Sequence, residues 1–176
     1  MVHKPLRVGL IGANIHYGWG TRDHIPALLA LPEFELAAVC TAHKDTASET
    51  ARHFGVELAF SNYLELVNNP SIDIVAVSVR VPLHHALTMA ALESGKHVFV
   101  EKPMASSVIE AKQLIKIAKS KNLNLFVGHI FLYNEIFKKI KKIDKQESIT
   151  YAHFAWKKFG TFDEDIFKNL LSHDIS

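Results

Sequence analysis

Apolar and polar residues alternate along this chain in blocks that predict strands and helices in turn. Short, almost wholly apolar runs predict buried strands at residues 7–12, 34–41, 58–60, 72–79, 97–100 and 123–127. Amphipathic segments predict helices at residues 23–31, 45–54, 63–68, 83–94 and 107–121. Parallel strands that are covered by helices on both faces are apolar along their whole length. The pattern therefore predicts an α/β fold with a doubly wound, Rossmann-type parallel sheet.

The pattern changes after residue 128. Residues 133–142 predict a helix with isoleucines on one side and lysines on the other, and residues 148–157 alternate as a strand does. We therefore predict a first domain at residues 1–128 and the start of a truncated, incomplete α+β domain at residues 129–176. One strand and one helix cannot bury their apolar faces alone. We expect this segment to expose apolar surface and to favour a homo-oligomer.

Composition narrows the class of protein. Of the 176 residues, 48% are hydrophobic, but the longest apolar runs have the length of a strand and not of a membrane span. With no signal-like start, the sequence predicts a cytoplasmic protein without a membrane partner. The single cysteine, Cys40, lies in an apolar run and is predicted to be a buried thiol. A net charge of +2 and a lysine-rich helix without an aromatic platform predict no nucleic-acid partner.

The turn after the first predicted strand is rich in glycine. In such a sheet this turn binds a dinucleotide pyrophosphate, because glycine lets the backbone approach and the next helix offers free N–H groups. Gly12, Asn14, Gly18 and Trp19 are the candidate cofactor-binding residues. Asn14 stands where a second glycine is expected, and asparagine tolerates left-handed backbone geometry. The alternative is a glycine turn with a structural role only.

The end of the second predicted strand suggests which cofactor is bound. A carboxylate at this point holds the ribose hydroxyls of NAD, but this chain has Thr41, His43 and Lys44. A hydroxyl and cationic groups suit a 2′-phosphate, so the sequence favours NADP, with NAD as the alternative. His43 and Lys44 are otherwise solvated residues at the start of a helix.

One segment resembles a known family. Residues 91–103, which end in Glu101-Lys102-Pro103, are similar to the corresponding motif of the Gfo/Idh/MocA oxidoreductases. The loop Gly18-Trp19-Gly20, followed by His24, further resembles the branch that contains the yeast galactose regulator, which binds nucleotide without known catalysis. The resemblance extends over residues 6–129.

The resemblance implies roles for residues near the motif. In the family the motif lysine reaches the nicotinamide and helps with proton transfer, which here falls on the catalytic candidate Lys102. Glu101 also matches the motif. Arg80 and His84 correspond to a loop beside the cofactor, although Arg80-Val81-Pro82 replaces the commoner Thr-Pro-Asn. His84 otherwise caps a helix or faces solvent. No metal site is expected.

The tail resembles the family's second catalytic segment. His173 matches its histidine and is the candidate general base, whereas Asn169 stands where many members have aspartate. An amide can hydrogen-bond a substrate hydroxyl but cannot take its proton. The alternative is that His173 is a frayed terminal residue.

Together these features lead to a functional hypothesis. We expect an NAD(P)-dependent oxidoreductase that transfers hydride between nicotinamide and an alcohol carbon of a sugar-like or polyol substrate. The alternatives are a non-catalytic NAD(P)-binding regulatory module and an inactive fragment of a longer oxidoreductase.

Overall fold

The computed structural model describes residues 4–146 and 150–151, without the side chains of residues 144–146. The chain forms two compact units, Met1–Val127 and Gly128–Ser176.

The first unit is built on one parallel sheet. Its strands are β1 (Leu6–Ile11), β2 (Phe34–Cys40), β3 (Leu58–Phe60), β4 (Ile74–Val77), β5 (His97–Val100) and β6 (Leu125–Val127). They lie in the order β3-β2-β1-β4-β5-β6, and every neighbouring pair is parallel. The predicted doubly wound fold is confirmed. The direction of winding reverses between β1 and β4, which makes this the topological switch point.

Helices connect the strands, and two of them begin with a side-chain cap. The helices are α1 (Ile25–Leu29), α2 (Lys44–Phe54), α3 (Tyr63–Val67), α4 (His84–Glu93) and α5 (Val108–Ser120). Asn62 Oδ1 accepts the Leu64 N–H at the start of α3, and Ser107 Oγ accepts the Glu110 N–H at the start of α5. At the end of α2, Gly55 adopts a left-handed conformation with φ 68°.

Three predicted elements differ from the observed ones. The helix predicted at residues 23–31 consists of a π-helical turn, Gly20–His24, and then α1. Pro26 has no N–H to donate, so the regular hydrogen-bond ladder is interrupted there. The strand predicted at residues 72–79 is limited to Ile74–Val77. The last strand begins two residues later than predicted, because Leu123 N bonds to Ala118 O and closes the end of α5.

The sheet is packed on both faces. One face carries the larger core, under α3, α4 and α5, with Leu66, Leu92 and Leu114 each fully buried. The other face lies under α1 and α2 and buries Leu10 and Ile25. Both clusters consist of residues from the first unit, so this unit has a core of its own.

The described part of the second unit contains a short 3₁₀ segment, Ile130–Tyr133, and α6 (Glu135–Gln146). Asn134 Oδ1 accepts the Ile136 N–H at the start of α6, which accounts for the helix beginning two residues later than predicted. Ile136 and Ile143 are exposed, as expected for this segment. The strand predicted at residues 148–157 lies outside the described residues apart from Thr150 and Tyr151. No helix in the described chain is long and apolar enough to span a membrane.

The buried core of the first unit predicts a large effect for one truncation in α5. Leu114→Ala should lower the free energy of unfolding by about 2–5 kcal/mol, because it leaves a cavity at a fully buried position. Ile109→Ala, in the same helix but 72% exposed, should change it by only about 0.5 kcal/mol. Urea unfolding of both variants measures the contrast. Equal losses would show that α5 does not pack as described.

Candidate functional site

The carboxyl ends of four strands lie side by side. Ile11 is in register with Cys40 of β2 and Val77 of β4, and Val77 is in register with Val100 of β5. The residues that follow these strand ends are Gly12, Thr41, Ser78 and Glu101. Because ligands of open α/β sheets bind beyond the carboxyl ends near the switch point, this edge is the candidate site.

Gly12 lets the backbone after β1 approach the backbone after β4 closely. It adopts φ 95°, and a Cβ built on it would lie 1.9 Å from the Ser78 carbonyl oxygen. A Cβ on Gly20 would lie 2.6 Å from the Gly12 carbonyl oxygen. Neither position can take a side chain without displacing backbone. Gly20 was absent from the predicted cofactor-binding residues, although its position at the start of a helix after a glycine turn was a usable signal.

The rest of the turn is held by its own polar groups. Asn14 Oδ1 accepts the His16 N–H at 2.9 Å, and the Asn14 carbonyl accepts the Thr21 hydroxyl at 2.8 Å. Gly18 has φ 105°, whereas Asn14 does not have a positive φ. The tolerance of asparagine for left-handed geometry is therefore not used at this position. It closes the turn through its side chain and carbonyl.

Trp19 lies on the outer side of this turn. Its ring is 54% exposed, and the Arg22 guanidinium carbon lies 4.0 Å from the ring centroid, a cation–π contact. The turn and α2 enclose a groove of about 780 Å³, lined on the helix side by His53 and Phe54. Trp19 is thus accessible to a ligand, and its contact with a cofactor stays a prediction.

Thr41 and Lys44 occupy the start of α2 in different ways. The Thr41 hydroxyl oxygen lies 2.7 Å from both His43 O and Thr46 Oγ1, and the residue is buried. This hydroxyl therefore stabilises the helix start. His43 and Lys44 are exposed, so their side chains are the groups here that can reach a phosphate.

Glu101 and Lys102 follow β5 and are half-buried. The Lys102 N–H donates to Glu101 Oε2 at 3.2 Å, and His24 Nε2 lies 2.9 Å from Oε1. Burial would raise the pKa of Glu101, but the His24 hydrogen bond, the His24 charge and the Lys102 contacts together outweigh it, so this pKa is lowered. The Glu101 carboxylate is thus held in its ionised form. The role of His24 was not predicted.

His84 connects the loops after β4 and β5. It is 1% exposed, with Nδ1 2.7 Å from the Pro103 carbonyl oxygen and Nε2 3.0 Å from that of Val79. These contacts are structural, and direct contact with a cofactor stays a prediction. Arg80 is exposed, and its side chain makes no hydrogen bond or ion pair with any described residue, although its backbone carbonyl accepts the Leu83 N–H at 3.0 Å. It is therefore available to an anion.

Three other residues singled out in the sequence are one cysteine in the described structure and two tail residues outside it. Cys40 is buried, and its pKa is raised to about 11 by burial and by Glu65, so the thiol stays protonated and unreactive. Within residues 4–146 and 150–151, no cluster of His, Cys, Asp or Glu could hold a metal ion. Asn169 and His173 lie outside the described residues.

Comparisons with known proteins agree with this geometry. Residues 6–129 match the model of the Gfo/Idh/MocA family, described as an oxidoreductase family with an NAD-binding Rossmann fold. The chain is 31% identical over 82% of its length to scyllo-inositol 2-dehydrogenase (NADP(+)) IolW of Bacillus subtilis. It is 32% identical over 76% of its length to dTDP-3,4-didehydro-2,6-dideoxy-alpha-D-glucose 3-reductase of Saccharopolyspora spinosa.

A solved structure shows the same similarity. The 3-ketoreductase KijD10 of Actinomadura kijaniata, in complex with NADP and TDP-benzene, superimposes with a TM-score of 0.74 at 29% identity. The match covers 81% of this chain and 43% of KijD10. The alignments with the two sequence relatives likewise span only 38% and 39% of their lengths. The chain thus spans less than half the length of its relatives.

The close approach at Gly12 predicts a steric penalty. Gly12→Ala should lower the free energy of unfolding by about 2 kcal/mol or more, because the new Cβ meets the Ser78 carbonyl and φ is positive. Gly55→Ala is the matched control, with a positive φ but no atom within 4 Å, and should cost about 1 kcal/mol. Denaturant unfolding gives both values. Equal costs would remove the steric argument.

The lowered pKa of Glu101 predicts a pH-dependent contribution to stability. A depressed carboxyl pKa stabilises the fold above the unfolded value, near 4.5, and this stabilisation is lost as the pH falls through the folded pKa. The melting temperature of Glu101→Gln should therefore lie below that of the parent at about pH 6 and approach it at about pH 3. Glu93→Gln, at an exposed carboxyl, is the control. A difference in melting temperature that grows as the pH falls would contradict the lowered pKa of Glu101.

Proposed function

The chain belongs to the Gfo/Idh/MocA oxidoreductase family, and from this premise we propose that its first unit binds NADP(H) for hydride transfer to or from a sugar-like or polyol alcohol carbon. One observation carries the proposal. The register of β1, β4 and β5 brings Gly12 and Lys102 to the same edge of the sheet, on opposite sides of Ser78. In the proposed complex, one ligand therefore meets both the close backbone approach at Gly12 and the amine of Lys102.

The described residues fit a dinucleotide. Gly12 and Gly20 leave a space that a Cβ would fill, which suits a pyrophosphate lying against the backbone. Lys44 and Arg80 are exposed and form no ion pair with the described residues, so each can meet a phosphate. We propose that Gly12, Asn14, Gly18 and Trp19 surround the pyrophosphate side of this cofactor.

Two observations support NADP over NAD. The segment after β2 presents His43 and Lys44, and no carboxylate stands in residues 41–44. The relatives supply the second observation, because the B. subtilis dehydrogenase is named for NADP(+) and KijD10 was solved with NADP. We propose that Lys44 meets the 2′-phosphate and that Thr41 keeps the start of α2 in place.

The cofactor, when bound, supplies the hydride acceptor or donor. The task left to the chain is to move the proton of the alcohol oxygen. We propose that Lys102 Nζ exchanges this proton and that Glu101 and His84 hold its loop. His173 would act as general base, and Asn169 would hydrogen-bond a neighbouring hydroxyl.

The names of the relatives support a class of substrate. Their names refer to an inositol and to a deoxysugar nucleotide, which supports a polyhydroxylated substrate. We propose that residues 1–128 bind the cofactor and that residues 129–176 begin the part that completes the substrate pocket and the contact between subunits.

The cofactor preference has a direct test. Titration calorimetry should give a dissociation constant for NADP that is about tenfold lower than that for NAD, since a charge-assisted phosphate contact contributes about 1.5–3 kcal/mol. Lys44→Ala should remove most of this difference, whereas Lys116→Ala, at an exposed lysine of α5, should leave it unchanged. Tighter binding of NAD by the parent would overturn the preference.

The role of Lys102 has a separate test. Nicotinamide turnover against a panel of sugars and polyols should fall by about 100-fold or more in Lys102→Ala, because a positioned acid–base group contributes about 10²–10⁴-fold. Cofactor binding by the same variant is the control for folding. Full turnover by Lys102→Ala would remove the mechanism, and tight NADP binding without any turnover in the parent would favour a binding module.

A further inference from the structure

The Glu101 carboxylate makes two contacts with its two oxygens. Oε1 lies 2.9 Å from His24 Nε2, and Oε2 accepts the Lys102 N–H at 3.2 Å. The backbone of Glu101 is itself fixed, because its N–H donates to the Val77 carbonyl of β4 at 3.0 Å. The carboxylate thus links His24, which lies 77 residues earlier in the chain, to the backbone of the candidate catalytic residue Lys102.

The hydrogen bond from His24 has a defined direction. An ionised carboxylate can only accept, so Nε2 must carry the proton and donate it to Oε1. The lowered pKa of Glu101 agrees with this direction. The side chains of His24 and Glu101 are only 18% and 20% exposed, so solvent screens this contact less than a surface pair.

The His24 ring is also held by packing. It meets Phe99 edge-on, with ring centroids 5.2 Å apart and an interplanar angle of 72°. Phe99 and Glu101 are two residues apart, so they point to the same face of the sheet. Phe99 in turn stacks on Phe126 of β6 at 5.3 Å. The aromatic contact and the hydrogen bond fix the ring between two residues of the same chain segment.

His24 is attached to the glycine turn on its other side. It is the last residue of the π-helical turn Gly20–His24, whose first residue packs against the Gly12 carbonyl. A helical turn of five residues therefore connects the close backbone approach at Gly12 to the residue that contacts the Glu101 carboxylate.

We propose that His24 is a positioning residue for Lys102, and that it couples the glycine turn to the lysine by fixing the Glu101 carboxylate. What Lys102 then does rests on the proposed function. The positioning itself is a property of the protein without cofactor and can be measured without it. His24 touches neither substrate nor cofactor in this proposal.

The first test measures amide hydrogen exchange by NMR in the full chain without cofactor. His24→Phe keeps an aromatic ring against Phe99 but removes the donor. The Lys102 amide should exchange about tenfold faster in this variant, because an unrestrained carboxylate no longer holds its hydrogen bond. Val75, in the centre of β4, should keep its parent rate and report an intact fold.

Two further variants separate positioning from packing. His24→Gln retains a side-chain N–H donor and should restore most of the protection of the Lys102 amide. His53→Ala removes an exposed histidine that packs on Phe54, and it should leave this rate unchanged. An unchanged Lys102 rate in His24→Phe, with Val75 protected, would overturn the proposal. A failure of His24→Gln to restore protection would also overturn it.

The second test asks whether the coupling reaches the ligand. The parent should bind NADPH more tightly than 2′-phospho-ADP-ribose, which lacks the nicotinamide. His24→Phe should lower the ratio of the two affinities about tenfold, and its affinity for 2′-phospho-ADP-ribose should stay that of the parent. An unaltered ratio would overturn the coupling to the nicotinamide side. If the parent binds neither probe, the proposed function fails, whereas the exchange experiment still decides the positioning.

Discussion

The approach of Gly12 to the Ser78 carbonyl is the constraint on which the candidate site depends. A Cβ at this point would lie 1.9 Å from that backbone oxygen, so the ends of β1 and β4 can meet in this way only if residue 12 lacks a side chain. The same steric constraint applies at Gly20, where a Cβ would lie 2.6 Å from the Gly12 carbonyl oxygen. These two contacts set where the helical turn begins, and hence where His24 meets Glu101. The geometry near Lys102 is therefore built outward from a steric requirement in the first turn.

Charge is distributed differently at the two edges of the sheet. At the amino edge, Arg7 pairs with Glu35 at 2.7 Å and with Glu57 at 2.9 Å, and the Lys96 ammonium donates to two backbone carbonyls. Burial lowers the pKa of Lys96, with a smaller opposing effect of Asp73, and the two carbonyl contacts partly replace the lost hydration of the ammonium. At the carboxyl edge, Lys44 and Arg80 are exposed and form no ion pair in the described structure. An anionic ligand thus meets satisfied cations at one edge and available cations at the other.

The sequence predicted the fold well because the strands are short apolar runs separated by amphipathic helices. Pattern alone identified all six strands, and the glycine turn and the Glu101-Lys102-Pro103 motif both follow strands at the carboxyl edge of the sheet, where the candidate site was predicted. Two sets of contacts in the candidate site were not predicted. Asn14 closes its turn through hydrogen bonds and not by left-handed geometry. His24 was missed because its partner lies 77 residues away, a distance over which spacing carries no information.

Cofactor binding and turnover make different physical demands on this chain. The proposed cofactor site consists of the strand ends, the glycine turn and the exposed cations, all of which belong to a unit whose two hydrophobic cores are its own. Turnover also requires groups that orient a substrate against the nicotinamide, and the relatives are more than twice as long as the region they share with this chain. Cofactor binding and substrate selection therefore depend on different groups in the proposed function. The contact between His24 and Glu101 involves only residues of the first unit. It can therefore hold Lys102 in place before any substrate is present.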